Sequence, residues 1–174
     1  SKTMELFSYE YAPLFFGEQS ERFLLEHRYQ AVKEICAFSA SYVFESWLYS
    51  HIDASISEWA EVHDRISKSF GRAQNNASWR EDTLAGSALF SDMAIYMFPF
   101  YVISYALSAM AAQQLKAAYD KDPRDGWARY HALCAAGGSL SYKEAMLSAG
   151  LRLPYLPETV AEVAAQFRRQ LFSE

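Results

Sequence analysis

Twenty consecutive residues, Met93 to Ala112, carry no charge. A run of that length either crosses a bilayer or forms the centre of a packed helical protein, where a helix is apolar on all sides. Pro99 interrupts the run, and serine and tyrosine recur along it. The other segments are amphipathic, which suits a helical protein with one buried helix at its heart rather than a membrane span. A long central helix is therefore expected from about Ala88 to Tyr119, kinked at Pro99 because proline withholds one backbone hydrogen bond.

Helix punctuation divides the chain into about seven helical stretches. Thr3 to Phe16 reads as a short aromatic helix closed by Gly17. Glu18 to Tyr49 reads as one long helix, with Phe23, His27, Ala31, Ile35 and Phe38 along one side. Ser55 and Glu58 have the spacing of a capping box. Ile56, Trp59, Val62, Ile66 and Phe70 follow as an apolar face, and Gly71 ends that helix. Residues 72–87, rich in Asn, Ser and Gly, read as an exposed loop. Asp122–Pro123 is an N-cap followed by proline at the first helical position, opening a helix to about Ala135. Gly137–Gly138 breaks it. Ser141 and Glu144 form a second capping box, and their helix stops at Gly150. Pro157 opens the last helix, with Val160, Val163, Ala164, Phe167 and Leu171 expected inward. No stretch alternates polar and apolar residues as a half-buried strand does. The expected fold class is all-α, with residues 1–174 as a single helical domain.

Composition removes several functions. The net charge is −5 and the basic residues are scattered, the densest group being Arg168–Arg169. Phosphate backbones need concentrated Lys and Arg, so no nucleic-acid partner is expected. Cys36 and Cys134 lie in apolar helical stretches and read as buried free thiols of a reducing compartment. With no signal peptide opening the chain, that points to a cytoplasmic location. There is no H-E-x-x-H, no phosphate-binding glycine loop and no G-x-S-x-G elbow. His27, His51, His63 and His131 are far apart, and none has a second His or Cys at ligand spacing. His51-Ile52-Asp53 and Glu61-Val62-His63-Asp64 read as solvated surface, so no metal is expected in this chain.

The stretch with most chemical promise is Pro99-Phe100-Tyr101-Val102-Ile103-Ser104-Tyr105. Tyr101 and Tyr105 are four residues apart on a helix, so their hydroxyls point the same way, and Ser108 extends that face by a turn. A buried phenol needs a hydrogen-bond partner, so a run of them implies a polar seam or a cleft. The competing reading is a packed aromatic core with the hydroxyls bonded to backbone or water, and periodicity alone favours it.

Residues 99–105 resemble the helix that closes the active site in oligoendopeptidase F and its thimet-oligopeptidase relatives. Ala136-Gly137-Gly138-Ser139, followed by Tyr142, Leu147, Ala149 and Gly150, is similar to a later turn-and-helix pattern of that family. Phe44, Glu45 and Trp47 resemble a third stretch. Ser1 to Phe7 resemble the segment just after the third zinc ligand, with Glu5 matching a later acidic residue. The similarity runs in register along nearly the whole chain. The resemblance implies a C-terminal segment of the catalytic lobe of a zinc metallopeptidase that hydrolyses short peptides. It implies zinc in the parent, bound by residues upstream of Ser1, and the upstream half of the catalytic region as partner. It implies that Tyr105 first, and Tyr101 second, hydrogen-bond the substrate carbonyl as it becomes an oxyanion, with Ser108 beside them.

Two positions depart from the family pattern. Family members carry a histidine shortly before the tyrosine motif, where this chain has Met93, Ala94 and Ile95. Many have tyrosine where it has Val102. The alternative is a catalytically inactive helical module that binds a peptide or a partner helix in an aromatic groove. On the first reading the chain alone is inactive. It should then expose an apolar or aromatic patch beside Tyr101 and Tyr105, or form a homodimer that covers it.

Overall fold

A computed structural model describes residues 2–71 and 93–172. The loop expected at 72–87 and the start of the central helix lie outside the described residues. Among the described residues the regular structure is helical, with no strand. The elements are α1 (Lys2–Phe7), a 3₁₀ turn (Ser8–Tyr11), α2 (Ala12–Phe16), a second 3₁₀ turn (Gly17–Gln19), α3 (Ser20–Ser50) and α4 (Ile56–Ser69). After these come α5 (Met93–Met97), α6 (Ile103–Lys121), α7 (Pro123–Ala136), α8 (Tyr142–Ser148) and α9 (Pro157–Leu171). No helix among them is long and apolar enough to cross a membrane.

Local chemistry sets most of the boundaries. Both capping boxes form, Ser55 with Glu58 and Ser141 with Glu144. The Asp122 carboxyl accepts from the Arg124 N–H at 2.9 Å, and Pro123 follows at the first helical position. At the start of α8 the Glu144 N–H donates to Ser141 Oγ, and the Ser141 N–H donates to Glu144 Oε2 at 3.0 Å. Ser141→Ala removes the acceptor for that first orphan donor, and a urea titration is expected to show a loss of about 1 kcal/mol. Hydrogen bonds from the Ser141 side chain and backbone hold the Glu144 carboxyl below its ordinary value. A depressed carboxyl stabilises the folded state above its unfolded-state pKa, and that contribution is lost as pH falls through the folded-state value.

The chain divides into two compact units, Ser1–Val32 with Leu107–Glu174, and Lys33–Ala106. The core of the first gathers Phe7, Ala111, Leu115, Met146, Ala149 and Leu151. Phe7 stacks on Tyr119 with ring centroids 4.3 Å apart and meets Trp127 edge-on at 5.3 Å. Gly126 allows the first turn of α7 this close to α6: a Cβ there would lie 2.5 Å from Tyr119 Cα. Arg129 donates to Asp125 at 2.7 Å and to the Gly150 carbonyl at 2.6 Å, tying α7 to the end of α8. The core of the second unit is Phe44, Leu48, Val62 and Ile95, with Trp47, Trp59 and Ile66 packed against it.

Three expectations need correction. The bend at Pro99 is an interruption: α5 ends at Met97 and α6 begins at Ile103. Proline cannot donate, and Phe100 takes a left-handed φ of 60°, through which no right-handed helix passes. Along α3, Phe23, His27, Ala31, Ile35 and Phe38 are each half-buried, and the fully buried positions are Ala40, Ser41, Phe44, Glu45 and Leu48. In α9, Val163 and Phe167 are buried, but Val160 and Ala164 are exposed, and Thr159 and Gln166 take the inner positions. Gln166 is satisfied there by a 3.3 Å hydrogen bond to the Gln113 side chain. Cys36 is half-buried and Cys134 is exposed, so only the first resembles the enclosed thiol expected.

Candidate functional site

The tyrosine motif lies in the second unit, where α5, a five-residue turn and the start of α6 meet α3. Ile95 is fully buried and anchors α5. Its carbonyl accepts from the Tyr49 hydroxyl at 3.1 Å. Beyond Pro99, the backbone N–H of Phe100 donates to Oε2 of Glu45, a side chain with no exposed surface. The Phe100 ring rests near the rings of Tyr42 and Tyr49, at 5.9 and 5.6 Å. A left-handed conformation costs a residue with a Cβ about 1–2 kcal/mol, so these contacts hold the turn in a shape it would not take by itself.

The turn passes directly into the face that carries the two phenols. The Tyr101 N–H donates to the Phe98 carbonyl at 3.1 Å. The Tyr101 carbonyl accepts from the Ser104 N–H at 3.2 Å and from the Ser104 hydroxyl at 2.7 Å, which starts α6. Tyr101 and Tyr105 then meet as their spacing requires: the hydroxyls are 2.8 Å apart and the rings 5.4 Å apart, edge to face. Phe38 flanks Tyr105 with its ring centroid at 5.5 Å. The hydrogen bond with Tyr101, then the charge Tyr101 would carry, then burial, raise the Tyr105 phenol above its ordinary value. Tyr105 therefore keeps its proton at neutral pH and can donate it in a hydrogen bond.

These phenols are not sealed in a core. Tyr101 is 52% exposed and Tyr105 is 40% exposed. Met97 at the end of α5 and Phe98 and Phe100 of the turn are also exposed, as are Tyr42 and Tyr49 of α3. The expected aromatic patch beside the tyrosines is present. Val102 points inward, at 8% exposure. Ser108 is exposed on α6 and falls in the first unit.

His27, His51 and His63 make separate local contacts. His51 donates through Nδ1 to the Trp47 carbonyl at 2.8 Å, and Trp47 stacks on its ring at 4.7 Å. His63 meets the Phe44 ring edge-on at 5.0 Å. In the first unit His27 joins Tyr9 and Glu5: Nδ1 is 2.6 Å from the Tyr9 hydroxyl, and Nε2 is 3.4 Å from the Glu5 carboxyl. Burial pushes the Tyr9 phenol up to about 12, against the opposing effect of Arg28. Among the described residues no group of three or more His, Cys, Asp or Glu could hold a metal ion. Sequence reasoning missed Glu45 as a buried carboxyl. Its signal was an acid at a position flanked along the helix by Ser41, Phe44 and Leu48.

No protein-family model matches the sequence, and no curated protein does. Solved structures match it over its whole length. A protein described as oligoendopeptidase F, from crystals grown by microfluidic seeding, superposes with a TM-score of 0.88 at 30% identity. PZ peptidase A with an inhibitor gives 0.85 at 24% identity, and a protein described as oligoendopeptidase F from Bacillus anthracis str. Ames gives 0.77 at 23%. At those lower identities the likeness is one of fold. The chain spans 31%, 31% and 28% of these three proteins.

Proposed function

We propose that the chain is, along its whole length, a segment of a peptidase of the oligoendopeptidase F type, and that it forms one wall of the cleft in which that peptidase holds short peptides. The observation that carries this reading is the exposed Tyr101–Tyr105 pair, with hydroxyls 2.8 Å apart. Two phenols fixed at the head of one helix are donors held in place before substrate arrives. Donors aimed at an oxygen that gains charge in the transition state do more than donors that bind the ground state. In this reading Tyr105 donates to the scissile carbonyl, and Tyr101 orients it and serves as a second donor.

The parent peptidase would use zinc as its electrophile. The described residues do not fit that ion, since they hold no cluster able to bind it. Its ligands, and the rest of the catalytic region, would come from outside this chain. The exposed aromatics around the turn then become the surface that faces the other wall and the peptide between them.

The division of labour is tested by comparing the chain alone with a longer protein that contains it. Isothermal titration of the chain alone with zinc is expected to show no stoichiometric, high-affinity site. A quenched fluorogenic peptide is expected to stay uncut by the chain and to be cut by the longer protein. Tight zinc binding or turnover by the chain alone would sink the proposal. The exposed aromatic face also suits a module that binds peptides without chemistry. That reading gains if the chain alone binds a peptide, the double variant Tyr101→Phe/Tyr105→Phe does not, and the longer protein shows no hydrolysis.

A further inference from the structure

We propose that Glu45 is a positioning residue whose buried carboxyl holds the Pro99–Phe100 turn and so aims the Tyr101 and Tyr105 hydroxyls. The inference rests on reading that pair as the working group. Glu45 is 0% exposed, on a stripe it shares with Ala40, Phe44 and Leu48. An acidic side chain has no place on such a stripe unless its oxygens are used, because burying it without hydrogen bonds is costly. One oxygen is used on the backbone N–H of Phe100, 55 positions along the chain.

The donor of that bond is unusual. Phe100 is the only non-glycine residue with positive φ among the described residues. A bulky side chain in the left-handed region persists only where its surroundings over-determine it. The residue before it is proline, which has no N–H to offer, and the helical ladder resumes only beyond Val102. The turn has a bond of its own, from the Tyr101 N–H to the Phe98 carbonyl, but the Phe100 N–H bonds outside it, to Glu45. Its shape comes from α3: the Glu45 carboxyl on the Phe100 amide, the Tyr49 hydroxyl on the Ile95 carbonyl, and the Tyr42 and Tyr49 rings around Phe100. Tyr101 is the next residue. Any relaxation of Phe100 toward negative φ swings the Tyr101 phenol and breaks its contact with Tyr105.

An amide N–H needs only an acceptor opposite it. Glutamine supplies one at the same reach, and leucine supplies none. The test labels the tyrosine Cζ carbons of the 174-residue chain with ¹³C and follows the phenol titrations by NMR. In the wild-type chain and in Glu45→Gln, Tyr105 should titrate above an ordinary phenol. In Glu45→Leu it should move down toward one, because the hydrogen bond that its own hydroxyl makes with Tyr101 is lost. A folded Glu45→Leu chain with an unmoved Tyr105 would overturn the proposal. If that variant fails to fold, amide exchange in the wild-type chain decides. The Phe100 N–H should exchange at least on the order of 100-fold more slowly than a free amide, and exchange at the free rate would overturn the proposal. The catalytic reading fails separately. If Tyr105→Phe leaves peptide hydrolysis intact in the longer protein while Glu45→Leu still moves the Tyr105 titration, the positioning role stands and the oxyanion role falls.

Discussion

Tyr105→Phe in the longer peptidase is expected to lower kcat by about 10²–10³-fold and to leave KM within a few-fold. The substitution removes one hydroxyl and keeps the ring, so the contact with Phe38 and the packing of α6 persist. On the proposed reading, what disappears is a donor whose bond strengthens as the substrate carbonyl gains negative charge. Such a loss falls on kcat and kcat/KM together. Tyr101→Phe should cost less, and the double variant should cost less than the product of the two. The hydroxyls are 2.8 Å apart and act as a unit, so each single change already removes part of what the other contributes. The pH profile carries a second signature. The Tyr105 phenol is raised first by its hydrogen bond with Tyr101, so the donor form survives to higher pH than an isolated phenol would. Tyr101→Phe should move the alkaline limb of kcat to lower pH. Steady-state kinetics with a fluorogenic oligopeptide measures both effects. Unchanged kcat in Tyr105→Phe would end the oxyanion reading, and a rise in KM alone would favour simple peptide binding.

The helical fold was legible because its boundaries are written locally. Ser55 with Glu58, Ser141 with Glu144, Asp122 before Pro123, and Pro157 each satisfy or forgo a backbone donor within one turn. The whole-length match to solved oligoendopeptidase F-type structures bears out the family resemblance. The meeting of Tyr101 with Tyr105 was legible only in part: a shared helix puts i and i+4 on one face, but Tyr101 lies in the turn ahead of Ile103.

What could not be read depends on distant partners. Half of the residues are hydrophobic, so several faces of α3 look equally apolar, and neighbours outside α3 decide that Phe44 rather than Phe38 is fully enclosed. Gln166 is buried because Gln113 satisfies it, which no pattern within α9 reveals. Pro99 announces a disturbance, but whether it bends or ends the helix is decided at Phe100. The left-handed turn there is held by a carboxyl on another helix.

Phe44→Ala is expected to destabilise the second unit by about 3–5 kcal/mol, a large share of the roughly 5–15 kcal/mol that holds a domain folded. Phe44 has no exposed surface and packs with Leu48, Val62 and Ile95, while the His63 ring meets it edge-on. Truncation leaves a void that neighbouring helices close only in part, so cavity and transfer costs add. Trp47 and Trp59 border the same cluster, which makes tryptophan fluorescence during a urea titration a direct report of its unfolding. Val160→Ala, at an exposed position on α9, is the control and should change stability by less than about 0.5 kcal/mol. The two variants separate apolar content from burial: both delete methyl or ring carbons, and only one deletes them from the core. Ile95 extends the consequence to function, because it is equally buried and leads into the tyrosine turn. A void at Phe44 loosens the seat of Ile95, so Phe44→Ala chains still folded at low urea should show a Tyr105 titration closer to that of an ordinary phenol. A loss below about 1 kcal/mol would mean that this cluster is not what holds the unit together. The tyrosine turn would then have to be anchored by the hydrogen bonds of Glu45 and Tyr49 alone.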